Sequence, residues 1–128
     1  MQNKLSNNYP IINLYKKKSI TSEIATQMLH GENFSILRKF KNWYKIKLHN
    51  DNYVGFIIRK KFTKSSKSTH KVSVLAANIY GKPSSKAKQI KKLTFSSKIC
   101  AKEKYGSFIK FNNQWIRIKD LKPVNYKN

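Results

Sequence analysis

The chain has 128 residues, a formal charge of +23 from 28 basic and 5 acidic residues, a single cysteine and only 4 glycines. These values exclude an intrachain disulfide, a Gly-rich phosphate loop and, with no long apolar run, a membrane-spanning helix. The charge favours anionic partners, although 25 of the 28 basic residues are Lys. A/T-rich codons would yield that Lys, Asn and Ile excess unaided, and Arg is the better residue for bidentate phosphate recognition.

Residues 1–8 are polar and read as a flexible N-terminal tail. They hold no apolar core of the kind a secretory signal needs, so the chain reads as cytoplasmic. A first unit follows over residues 9–63. Ser22 to Leu29 reads as loop leading into strand. Phe34 and Ile36 alternate with Ser35, while Tyr44, Ile46 and Leu48 alternate with Trp43, Lys45 and Lys47, which is the period of half-buried strands. Residues 64–69 are a Ser/Thr/Lys linker with nothing to bury.

The second unit covers residues 70–126. Ser85 to Thr94 again reads as loop to strand. Asn112-Asn113 predicts a tight hairpin, because Asn tolerates the positive φ that such turns need. Pairing across it sets Phe111 against Gln114 and Lys110 against Trp115. Ile109, Phe111, Ile116 and Ile118 then face the core, with Phe108, Lys110, Trp115 and Arg117 outward. Ile118 to Leu121 predicts a short helical turn before a last strand.

The units are copies of one module. At an offset of 65, Leu14-Tyr15 falls on Ile79-Tyr80, Met28 on Leu93, Phe34 on Ile99, Trp43-Tyr44 on Phe108-Ile109 and Ile46 on Phe111. Beyond the hairpin an offset of 62 sets Tyr53-Val54 on Trp115-Ile116 and Phe56 on Ile118. That register puts Trp43 and Tyr53 on the outer face of the first unit. Repetition at a fixed period fixes the architecture before any local signal. The expected fold is all-β, as two tandem small barrels of five to six strands.

Leu29 to Phe34, Trp43 to Ile46 and Tyr53 to Ile57 resemble the first bacterial SH3 domain of NlpC-type cysteine peptidases that trim murein peptides. Thr69 to Ser73 and Trp115 to Val124 resemble the second. The resemblance implies two SH3-like barrels and, in the family, a following catalytic domain with a Cys nucleophile and His partners. It implies peptides with γ-D-glutamyl links to a diamino acid as substrates. It also implies that Glu32, in the first domain, pairs with the free α-amino group of a stem peptide while a Tyr closes over it.

The residues themselves suggest no catalysis. Cys100 has no neighbouring base in the sequence. His30, His49 and His70 lack metal-ligand spacing, and no cofactor is expected. Glu32, Tyr53, Trp43 and Tyr15 are the candidate ligand-binding residues. The expected function is a non-catalytic module of a murein-peptide hydrolase, which positions the peptidase domain and recognises the N-terminal end of stem peptides. Weak binding to anionic polymers accompanies it. The alternative is a basic nucleic-acid-binding protein that stacks bases on exposed aromatics.

Overall fold

A computed structural model describes residues 4–65 and 67–127. The chain folds as two compact units, Met1–Ser66 and Lys67–Asn128. Both consist of short antiparallel strands, and each has its own apolar core.

The first unit is one sheet of seven strands: β1 (Lys4–Ser6), β2 (Ile11–Tyr15), β3 (Ile24–Leu29), β4 (Asn33–Lys39), β5 (Trp43–Leu48), β6 (Val54–Ile58) and β7 (Thr63–Lys64). Their order is β3-β2-β6-β5-β4-β1-β7. Leu14, Met28, Phe34, Ile46 and Ile57, all fully buried, face inward at alternate positions. Gly55 lies where a Cβ would come within 3.1 Å of the Leu14 Cβ, so the β2–β6 crossing requires its missing side chain.

The second unit contains β8 (His70–Val72), β9 (Ala76–Tyr80), β10 (Gln89–Thr94), β11 (Lys98–Ile99), β12 (Glu103–Tyr105), β13 (Phe108–Phe111), β14 (Gln114–Arg117) and β15 (Leu121–Pro123). A short 3₁₀ turn at Ile118–Asp120 precedes β15, as the sequence predicts. The strands form sheets ordered β10-β9-β14-β13-β12 and β11-β8-β15. β11 and β12 correspond to the two halves of β4, parted at the place where β4 carries a bulge between Ile36 and Arg38.

The expected hairpin is present. Asn112 and Asn113 both have positive φ, at 46° and 59°, and Phe111 opposes Gln114.

The repeat holds at offset 65 as far as β5. Tyr15 opposes Ile24 just as Tyr80 opposes Gln89, beside the same bulge in both units. Gly31 and Ser96, 65 apart, share positive φ at 85° and 74°. After the hairpin the expected offset of 62 is wrong, and strand pairing sets it at 59. Tyr15 opposes Phe56 and Tyr80 opposes Trp115. Lys45 likewise opposes Phe56 and Lys110 opposes Trp115. Phe56 is therefore the counterpart of Trp115, and Tyr53 is not. Residues 47–54 make the first hairpin six residues longer than the second, rather than three.

The expected tail is also corrected over its described part. Residues 1–3 lie outside the described residues, but Lys4–Ser6 pairs with β4 on one side and β7 on the other. Asn7 anchors the segment. Its side chain is buried, donates to the Met28 carbonyl at 3.1 Å and accepts the Tyr9 N–H at 2.9 Å. At offset 65 its counterpart is the buried Val72. The linker expected at 64–69 begins inside a strand, since Lys64 pairs with Leu5. Ser66, within that linker, lies outside the described residues.

Candidate functional site

Alternation along β2, β5 and β6 puts Leu14, Ile46 and Ile57 in the core and turns Tyr15, Lys45 and Phe56 outward. These three form one directly opposed row, and Trp43 opposes Ile58 next to it. Tyr15 and Trp43 meet edge to face, with centroids 5.7 Å apart at 89°, a geometry that aligns ring edge with ring face. Both are half-buried. Ile11 and Ile58 are 41% and 43% exposed. A shallow hollow of about 150 Å³ between them is lined by Ile11, Ile12, Asn13, Tyr15, Ile58 and Lys60.

The second unit repeats this outer face. Tyr80, Trp115 and Lys110 form the matching row, and Phe108 opposes Arg117. Tyr80 and Phe108 meet edge to face at 5.6 Å and 87°. Each unit thus carries one Tyr, one Lys, one Trp and one Phe in equivalent places, with Trp and Phe exchanged. Strand alternation predicts that Phe108 faces outward. It does lie on the outer face, but it and Tyr80 are buried.

Cations also lie over two other aromatic rings of the first unit. Lys18 Nζ is 3.9 Å from the Phe40 ring centre, and the Arg59 guanidinium 4.8 Å from that of Tyr44. Arg59 also donates to the Phe40 carbonyl at 2.8 Å. Lys16 pairs with Glu23 at 3.1 Å, but both are well exposed and such a pair adds little.

Glu32 and Tyr53 stand elsewhere. Glu32 closes the β3–β4 turn, where its carboxylate accepts the Leu29 N–H at 2.6 Å and its carbonyl accepts the Asn7 N–H at 2.9 Å. It is half-buried, and among the described residues no Lys or Arg pairs with it. Tyr53 is not on the outer face, as the offset of 62 had implied. It precedes β6, its carbonyl accepts the Leu48 N–H at 2.8 Å, and its ring packs on the core with Tyr44 and Phe62. Asp51 fixes its backbone by accepting the Tyr53 N–H at 3.1 Å.

The four candidates therefore separate into two pairs. Tyr15 and Trp43 lie where β5 begins, whereas Glu32 and Tyr53 lie where β4 begins and β5 ends. Five residues of β5 separate these ends by about 16 Å. Sequence reasoning missed Phe56 and Ile58, which complete the aromatic face, because the register error hid Phe56. Applied to the 62-to-59 alternatives, the Tyr–aromatic–Lys row would have found it.

His49 and His70 each have a hydroxyl neighbour. His49 Nε2 lies 2.7 Å from Ser35 Oγ; burial first, then Lys4 and Lys47, lower its pKa. His70 Nδ1 lies 2.8 Å from Thr69 Oγ1; burial first, then Lys104, lower its pKa. Cys100 is a half-buried free thiol just after β11. Among the described residues no three of His, Cys, Asp and Glu gather to hold a metal ion, and no helix is long and apolar enough to cross a membrane.

Residues 14–61 match the family model of the bacterial dipeptidyl-peptidase SH3 domain. No curated protein matches the chain in sequence. Among solved structures the chain is similar to an NlpC/P60 family protein from Bacillus cereus ATCC 10987, at 15% identity and a TM-score of 0.75. That match covers 98% of this chain and 57% of the other, so the chain spans little more than half the length of that protein. NlpC2 and NlpC1 from Trichomonas vaginalis also match, at 16% and 15% identity with TM-scores of 0.40 and 0.41. Those matches cover 99% of this chain and 49% and 46% of theirs.

Proposed function

We propose that the chain is a non-catalytic SH3 module of a murein-peptide hydrolase. It holds an NlpC-type peptidase domain in position and helps to recognise the N-terminal end of γ-D-glutamyl stem peptides. The observation that carries this reading is the match over residues 14–61 to a dipeptidyl-peptidase SH3 domain, a segment that contains Tyr15, Glu32, Trp43 and Tyr53.

The two pairs then serve two tasks. An extended tripeptide is about 10 Å long, too short to bridge the about 16 Å between the pairs. Tyr15, Trp43, Phe56 and the exposed Ile58 give a flat apolar surface suited to a folded partner. Glu32 supplies the acid for the ammonium of the peptide. Its bond from the Leu29 N–H fixes the carboxylate in place before ligand arrives, so little entropy is lost on binding. Tyr53 lies at the same end, with its ring against the core.

The test is calorimetric titration of a stem peptide with a free amino terminus into the wild-type chain and into Glu32→Gln. Glutamine keeps an oxygen for the Leu29 N–H and removes only the charge. Loss of a charge-assisted contact costs about 1.5–3 kcal/mol, so affinity falls about tenfold or more while the melting temperature holds. Equal affinity in the two proteins would remove Glu32 from the recognition site.

A further inference from the structure

We propose that Lys4, Ser35, Lys47 and His49 of the first unit form a binding site for a dianionic tetrahedral oxyanion of the phosphate or sulfate class. Lys4 opposes Ser35 directly across β1 and β4, and Ser35 opposes Lys47 directly across β4 and β5. Directly opposed residues share one face of a sheet. Their neighbours Leu5, Phe34 and Leu48 pack into or against the core, so the three lie on the other face. A short side chain between two long ones leaves a notch. Neighbouring strands are about 4.8 Å apart, so the two lysine stems rise about 10 Å apart, wide enough for one small anion between them. His49 Nε2 closes over the floor of the notch, 2.7 Å from Ser35 Oγ, and Ser35 is 5% exposed.

The longer first hairpin supplies half of this site. Lys47 opposes Val54 within the residues that the second hairpin lacks, and His49 lies beyond it. In the second unit Phe111 is the last strand residue before the turn, so neither Lys47 nor His49 has a counterpart on a strand there. Lys4 and Ser35 fall on Thr69 and Cys100 at offset 65. The shared barrel architecture therefore does not require the cluster. A general excess of lysine explains single exposed lysines, but not a buried hydroxyl and an imidazole that meet between two of them.

The chemistry of the notch suits an anion. Lys4 and Lys47 both act on the His49 ring and, after burial, lower its pKa. Their field disfavours imidazolium and favours a negative charge in the same place. A neutral ring protonated at Nε2 donates to Ser35 Oγ, which leaves the Ser35 hydroxyl proton for an anion oxygen. Two flexible ammonium groups and one fixed hydroxyl then converge on one tetrahedral ion. The nearby acids are engaged elsewhere: Asp51 accepts the Tyr53 N–H and Glu32 the Leu29 N–H. Lys64, on β7, shares with Lys4 a hollow of about 470 Å³ that Leu5 and Ser65 also line, which gives room for the remainder of an ester. The proposal does not rest on the peptide reading, because an inorganic anion has no amino terminus.

The test is an NMR titration of the full chain with sodium sulfate, against sodium chloride at matched ionic strength. Saturable shifts are expected at the amides of Ser35, Lys47 and His49. An anion beside the ring stabilises imidazolium, so saturation with sulfate should raise the His49 midpoint. By reciprocity, affinity should increase as pH falls through that midpoint, while sulfate keeps its charge throughout. His49→Gln should abolish this pH dependence. Lys4→Gln and Lys47→Gln should each weaken affinity about tenfold or more, the size of a lost charge-assisted contact. A control with Lys39 and Lys41 both changed to Gln should stay within about twofold of wild type. Affinity for inorganic phosphate at least equal to that for glycerol phosphate would identify the free ion, and tighter binding of the ester an esterified ligand. No saturable shift, a His49 midpoint that sulfate leaves unmoved, acetate bound as tightly as sulfate, or an equal loss in the control would overturn the proposal and leave only the diffuse field of a +23 chain.

Discussion

Asn7 and Val72 occupy the same place in the two units, and each is almost wholly buried. A buried amide is tolerated only when its donors and acceptors are paired, and Asn7 meets that condition through the Met28 carbonyl and the Tyr9 N–H. Asn7→Val imports the residue of the second unit without its surroundings and leaves both groups unpaired. It should cost about 1–3 kcal/mol, read as a lower denaturation midpoint with an unchanged denaturant slope. His70 offers a second check. Its folded pKa is below the ordinary 6.5, from burial first and Lys104 second. The unfolded chain then binds the proton more readily. This contribution to stability is complete above pH 6.5 and is lost as pH falls from 6.5 through the folded pKa. An imidazole titration followed by NMR should place the His70 midpoint below 6.5. A midpoint above it would mean that burial and Lys104 do not act on the ring as described.

At the scale of elements, the strands were legible because their periodicity is strong. Ile109, Phe111 and Ile116 face the core as alternation demands, and the Asn112-Asn113 turn has the φ values that its residue type favours. The first hairpin was not legible. Its loop holds Asp51 and Asn52, where turn residues are plausible at several positions, and Tyr53 imitates Trp115 in aromatic character. Nothing local separates an offset of 62 from 59; the cross-strand partners Tyr15 and Tyr80, with Lys45 and Lys110, do so. The N-terminal strand was hidden for another reason. Lys4-Leu5-Ser6 is too short and polar to show a period, and it is held by β4 and β7 on either side. Gly55 tests the β2–β6 crossing. Leu14 is fully buried and cannot retreat from a new Cβ at 3.1 Å, so Gly55→Ala should destabilise the first unit by about 1–3 kcal/mol. Thermal melts of the two proteins would show it, and an unchanged melting temperature would mean that the crossing is looser than drawn.

At the scale of the whole molecule, duplication of one small barrel yields two similar outer faces and two different rows at β1 and β8. The aromatic face is kept in both units, while Ser6, Asn33 and Thr63 of the first are matched by Lys71, Lys98 and Lys122 in the second. Small barrels have little concave surface, and the candidate sites are accordingly an exposed face and a turn rather than an enclosed pocket. Of the candidate site, Tyr15 and Trp43 were legible as outward aromatics, and the structure brings their rings together across β6, which lies between β2 and β5. The separation of Glu32 and Tyr53 from this pair depends on where β5 ends, which no residue pattern in the sequence states. The most direct test of the proposed function maps amide shifts of the chain as a stem peptide is added, first with a free amino terminus and then with that terminus acetylated. The account predicts shifts at Leu29, Glu32 and Tyr53 with the free peptide, little change at Tyr15 and Trp43, and loss of all shifts on acetylation. Equal shifts with the acetylated peptide, or shifts centred on Tyr15 and Trp43, would contradict it.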